Sequence, residues 1–187
     1  MDISEFETQL RALMGAPFHD RPFVCEGSPL TCQAFIVGVN AASNMKQDFW
    51  DFWRPGYGFE RTTWLDAYLS ARTKVSRTRK AMQMIMDQAK TDYGAIRFLE
   101  TNIFSIPTAR ESMLKSHQKS TEIFEFLLAS INPQVLLVHG AKPVKYVRAR
   151  GLSESTKVIE SPHLIYVGHE QARELGRIIA RTISRET

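Results

Sequence analysis

QAFIVGVNAAS, residues Gln33 to Ser43, is the stretch on which the fold of this chain turns. Ala34, Phe35, Ile36, Val37 and Val39 form a run of β-branched and bulky apolar side chains that stops at small polar residues, which is the pattern of a buried strand. In an open α/β sheet, ligands bind beyond the carboxyl ends of the strands, so this strand delivers Asn40 to the mouth of a site. Gly38 lets another backbone or a ligand come close, and Ala41 and Ala42 obstruct little. A plain strand-to-loop turn, in which asparagine simply tolerates the geometry, fits the same residues.

Upstream, Ile3, Phe6, Leu10, Leu13 and Met14 recur at helical spacing and predict an amphipathic helix from about Ser4 to Met14. Ala16 to Thr31 carries Pro17, Pro22, Pro29 and Gly27 and reads as an extended, turn-rich lead-in to the first strand. Downstream comes the least ordinary composition in the chain. Phe49, Trp50, Phe52, Trp53, Tyr57, Phe59 and Trp64 fall within sixteen residues, around Pro55, Gly56 and Gly58. The prolines and glycines break any regular element, so the rings belong to a loop beside the site. Such rings can stack on a flat base, or they can form a satellite core that holds the loop down.

From Thr62 to Ala89 the pattern is helical, interrupted by ARTKVSRTRK, with five basic residues and no acidic one. Arg72, Lys74, Arg77, Arg79 and Lys80, with the hydroxyls of Ser76 and Thr78, supply what contact with a phosphate backbone requires. A solvated helix face would look the same. Further strands are read at Arg97 to Phe104, which carries Thr101 and Asn102, at Val135 to Val138, and at Lys157 to Glu160, which runs into Ser161, Pro162 and His163. Helices are read around Ile123 to Leu128, over AKPVKYVRAR, and from His169 to about Ile183. Strands alternating with helices imply a parallel sheet covered on both faces.

Composition sets the outer bounds. The 187 residues suit a single domain, and 43% hydrophobic with 24% charged residues is ordinary for a globular protein. No apolar run is long enough to span a membrane, and MDISEFETQL is acidic where a secretory signal would be basic and then apolar, so a cytoplasmic protein is expected. Cys25 and Cys32 are too few for a disulfide framework and too far apart for a CxxC site, so they are expected as buried or free thiols. A net charge of +4 permits an anionic partner.

Asn40, Asn102 and the Ser161 to His163 turn thus meet at one edge of a parallel sheet. An asparagine amide offers a donor beside an acceptor, which matches the edge of a nucleobase, and a histidine can donate to a carbonyl or to charge developing on it.

In order, GVNAAS, ETNIFSIPT, VLLVHGAKPVKYV and ESPHLIYVG resemble the uracil-DNA glycosylase superfamily over roughly Gln33 to Gly168. The resemblance implies a three-layer α/β/α sandwich around a four-stranded parallel sheet, in one domain over residues 1–187. It also implies flipping of a base out of DNA and hydrolysis of its N-glycosidic bond. Asn40 falls on the water-positioning residue of the first motif, with Ala41 where proline is usual. Asn102 falls on the residue that reads the flipped base. Val135 to Ala141 resemble the third motif, with His139 at a position usually apolar. The histidine of the last motif falls on Ser161, and His163 stands two positions later. The expected assignments are therefore Asn40 and His163 as catalytic groups; Asn102, Phe49, Trp53, Ser43 and Ser161 at the base; and the five basic residues Arg72, Lys74, Arg77, Arg79 and Lys80 on DNA phosphates. A monomer without metal or cofactor is expected, because the iron–sulfur cluster of one branch uses four cysteines and this chain has two.

Two other readings stay open. One is a non-catalytic module that keeps the pocket to bind a base, a nucleotide or a nucleic-acid end. The other is a doubly wound small-molecule enzyme, for which neither GxGxxG nor a P-loop is found.

Overall fold

Ala34–Asn40 (β2) is the centre of the sheet, flanked in parallel by Phe98–Phe104 (β5) on one side and Val135–His139 (β6) on the other. These strands belong to a computed structural model that describes residues 1–15, 20–41, 45–153 and 155–185. Lys157–Ser161 (β7) pairs in parallel with β6. A fifth strand, Phe23–Cys25 (β1), pairs antiparallel with β5, giving the order β1-β5-β2-β6-β7. The expected four-stranded sheet is therefore a five-stranded, mostly parallel one. The additional strand lies inside the segment read as a lead-in, where only Phe23, Val24 and Cys25 escape the surrounding prolines and glycine.

Successive strand residues point to opposite faces, and the two faces bury separate cores. Ala34, Ile36, Val135 and Leu137 pack with Ile85, Met86 and Ala89 of Arg77–Tyr93 (α3) and with Leu175 and Ile179 of His169–Ser184 (α6). Phe35, Val37, Leu136 and Val138 pack with Phe6 and Leu10 of Ile3–Met14 (α1), Phe124 and Leu127 of Glu122–Ile131 (α4), and Val147 of Ala141–Arg150 (α5). Helix α1 is capped by Asp2, two residues before the expected start at Ser4. The Asp2 carboxylate accepts from the Ser4 and Glu5 amides, and Glu5 returns a bond to the Asp2 amide, which satisfies otherwise orphaned donors. Helix α6 lies on α3 with Gly176 at the crossing. A β-carbon there would stand 2.6 Å from the Ile85 carbonyl oxygen and 3.1 Å from the Ala89 nitrogen, so only glycine permits this approach.

The segment between the two arms of the basic stretch is where the helical pattern breaks. Arg61–Ser70 (α2) ends before it, and α3 begins after Ser76, whose hydroxyl accepts from the Arg79 amide at 3.1 Å. The aromatic loop holds a 3₁₀ turn over Phe49–Phe52 and a two-stranded ribbon of Trp53–Arg54 (β3) and Gly58–Phe59 (β4). Among the described residues no helix is long and apolar enough to cross a membrane.

Candidate functional site

Sheet register sets up the site. Gly38 pairs with Asn102, His139 pairs with Ser161, and Val37 pairs with Val138, so Asn102, Gly38, His139 and Ser161 form one row across four neighbouring strands. The row lies on the face shared with Ile36 and Leu137, one step beyond the last apolar layer. Glycine in the middle leaves a gap. A β-carbon at position 38 would stand 2.6 Å from Asn102 Oδ1 and 3.2 Å from His139 Nε2, so both polar atoms reach over the same point of the backbone. Above this floor lies a cleft of about 500 Å³ whose lining includes Asn40, Asn102, His139 and His163. The two asparagines and the imidazole picked out in the sequence face one cavity. Asn102 stands two residues before the end of β5 rather than at its tip, and the alternation of the strand turns it inward.

Asn40 is fixed from outside its own strand. Its Nδ2 donates to the Thr108 carbonyl at 3.1 Å and to Thr108 Oγ1 at 3.0 Å, while the Thr108 hydroxyl gives its own proton to the Arg110 carbonyl at 2.9 Å. The Thr108 amide in turn donates to the Ala41 carbonyl at 3.0 Å. These bonds settle which end of the amide is which, and Oδ1 is the end left to accept. His163 Nδ1 accepts from the Ile165 amide at 3.2 Å, so the proton of the neutral ring sits on Nε2. Burial lowers the pKa of His163 and keeps the ring neutral near pH 7. His139 lies edge-to-face against it, with ring centroids 5.1 Å apart. Burial, and then the neighbouring His163, push the His139 pKa from 6.5 down to about 3.

The wall on the α3 side holds charge that sequence reading did not place there. Glu100, 5% exposed on β5, accepts from Arg61 at 3.0 Å and from Arg79. Arg79 also lies 5.0 Å from the Trp64 ring centre and 5.3 Å from that of Tyr68. Arg79 was expected on DNA phosphates; instead it turns inward to Glu100 from the first turn of α3, although it still lines the cleft. The signal was present as spacing, because Arg79, Met82 and Met86 share one helical stripe. Arg72 lies over Tyr68, 3.7 Å from the ring centre. Lys74, Arg77 and Lys80 are exposed, and Ser76 and Thr78 beside them reach the cleft rim. Arg21, also unforeseen, lines the cleft as well and braces the loop after β2 by donating to the Met45 and Gln47 carbonyls at 3.1 and 3.0 Å.

The aromatic loop divides between the two roles open to it. Phe49 lines the cleft and stacks on Phe59, with centroids 5.1 Å apart. Trp53 does not line the cleft: it packs among Phe6, Phe23, Phe49 and Trp50, and its Nε1 donates to Glu7 Oε2 at 2.7 Å, tying the loop to α1. Ser161 belongs to the row but is buried outside the cleft lining, and its hydroxyl donates to the Pro162 carbonyl at 3.0 Å. Ser43 lies outside the described residues. No group of three or more His, Cys, Asp or Glu side chains comes together to hold a metal ion among the described residues. Cys25 and Cys32 are both buried free thiols.

Compared with known proteins, the chain matches no family model and no curated protein.

Proposed function

We propose that this protein is a uracil-DNA glycosylase-like enzyme of three-layer α/β/α architecture. On this reading it flips uracil or another deaminated or modified base out of DNA and hydrolyses its N-glycosidic bond. The observation that carries the reading is the convergence of Asn40, Asn102 and His163 on one cleft beside Phe49 and the N-terminal turn of α3.

Cleavage builds positive charge on the sugar and negative charge on the departing base. The site needs a donor for a base oxygen and an oriented water beneath the sugar. His163 Nε2–H is the donor. A neutral imidazole suffices, because a hydrogen bond to the oxyanion needs no proton from solution. Asn40 Oδ1 orients the water, held in place by Thr108; being neutral, it steers the water and does not deprotonate it. Asn102 reads the base edge and Phe49 supplies an apolar wall. Lys74, Arg77 and Lys80 on the rim suit flanking phosphates. Ile165 and Tyr166, 43% and 81% exposed just after His163, are the side chains this reading assigns to a wedge into the duplex.

One observation favours a binding module instead: the residue at the family's histidine position, Ser161, spends its hydroxyl on Pro162 and leaves the cleft to His163. Base release from uracil- and hypoxanthine-containing oligonucleotides, single- and double-stranded, decides between the two. Wild-type release that falls about 100-fold or more in His163→Ala and in Asn40→Ala supports the enzyme. No release by wild type, with nucleotide binding weakened in Asn102→Ala, supports the module.

A further inference from the structure

His139 has a role that rests on the base-binding reading of the cleft. A buried polar atom without a partner costs free energy and calls for an explanation. His139 is 5% exposed at the end of a strand whose other four residues are fully buried and apolar, and its Nδ1 is buried with no hydrogen-bond partner. Folding gains nothing from it that leucine would not supply.

The two nitrogens have different surroundings. Nδ1 faces protein with no donor or acceptor in reach, whereas Nε2 reaches the space over Gly38, beside Asn102 Oδ1. An orphaned buried N–H is rarer in proteins than an orphaned acceptor, so the single proton of this ring belongs on Nε2. The low pKa keeps the ring in that neutral, one-donor form across the physiological range. The Asn102 side chain makes no hydrogen bond to the described residues, and the neighbouring Nε2–H favours the amide orientation that presents Oδ1 rather than the amine, so Oδ1 is available as an acceptor. The floor over Gly38 therefore presents an acceptor on β5 and a donor on β6, separated only by a missing side chain.

We propose that His139 is a specificity-determining residue: its Nε2–H takes a ring carbonyl while Asn102 Oδ1 takes the adjacent ring N–H, selecting heterocycles with a lactam edge. Uracil and hypoxanthine carry that edge. Cytosine and adenine carry its inverse, an exocyclic amine beside an unprotonated ring nitrogen, and would set donor against donor at His139 and acceptor against acceptor at Asn102. With the lactam edge held on the floor, His163 is free to serve the second carbonyl oxygen of uracil.

The test is calorimetric binding of short single-stranded oligonucleotides carrying one 2′-fluoro nucleotide of uracil, 3-methyluracil or cytosine, the fluorine suppressing cleavage by destabilising positive charge on the sugar. Wild type should bind uracil roughly 10- to 100-fold more tightly than either of the others, the range of one two-point base contact. His139→Leu should lose the preference over cytosine while unfolding at the same temperature or higher, because the orphaned nitrogen is gone. His139→Gln, which restores a donor, should recover part of it. Equal wild-type affinities, no binding of any of the three, an undiminished preference in His139→Leu, or a lower melting temperature for that variant would each overturn the assignment. Failure of the glycosylase reading looks different: uracil is bound selectively, yet none is released from the ordinary deoxyuridine oligonucleotide.

Discussion

Gly176 and Gly38 are matched in one dimension and opposed in every other. At each, an added β-carbon would come within 2.6 Å of an oxygen. At Gly176 the oxygen is the Ile85 main-chain carbonyl, inside a seam where α6 and α3 exclude everything else. At Gly38 it is the Asn102 side-chain amide, above which the protein keeps a cleft open. The first glycine brings two helices together; the second lets two polar side chains lean over one point of the backbone. Missing volume stabilises the fold in one place and leaves room for a ligand in the other, and only the neighbouring atoms tell which.

Four substitutions sharpen or break the contrast. The largest effect on stability is expected at Glu100, where the open region behaves like a core. Glu100→Ala leaves Arg61 and Arg79 confronting each other with side chains only 19% and 12% exposed, and chemical denaturation should show a loss of about 3 kcal/mol. Next comes Gly176→Ala, expected to cost about 1–3 kcal/mol, because backbone atoms must move to admit the methyl group. Gly38→Ala should cost less than about 1 kcal/mol, since a side-chain amide and an imidazole can swing away. It should nevertheless abolish measurable base binding in the calorimeter. If Gly38→Ala proved the more destabilising of the two, the contrast would be wrong. Smallest is Thr108→Val, which removes one of the bonds to the Asn40 amide. Stability should change by about 0.5 kcal/mol, while base release drops by less than the loss in Asn40→Ala.

Acid offers a separate check on the open region. The His139 imidazole refuses its proton until about pH 3 when folded, whereas the unfolded chain accepts it near 6.5. The unfolded state therefore binds more protons between these values, and stability falls as pH drops through that window. His163, shifted in the same direction, adds to the slope. Denaturation measured at pH 7, 5.5 and 4 should show a shallower decline in His139→Leu than in wild type.

The parallel strands were legible because a strand buried on both faces is a nearly unbroken apolar run, and Ala34 to Val39 and Val135 to Val138 have no competing interpretation. The antiparallel edge strand was not, since a strand of three residues, Phe23 to Cys25, carries too little pattern. Asn40, Asn102 and His163 were read correctly as neighbours, because residues on one sheet face at one edge must meet. The stacking role of Trp53 failed for the opposite reason: a ring in a loop has no periodicity to say whether it faces a cavity or the core. The pairing of Arg79 with Glu100 went unread because charge along the chain does not report direction, whereas the stripe shared with Met82 does.

Trp64, the one tryptophan that lines the cleft, sits beside the Arg79 guanidinium, while Trp50 and Trp53 belong to the aromatic cluster near α1. Of the three indoles it is thus the one whose light emission should respond when the cleft is occupied. The molecule carries its own optical gauge of occupancy, readable without a label and on the timescale of mixing.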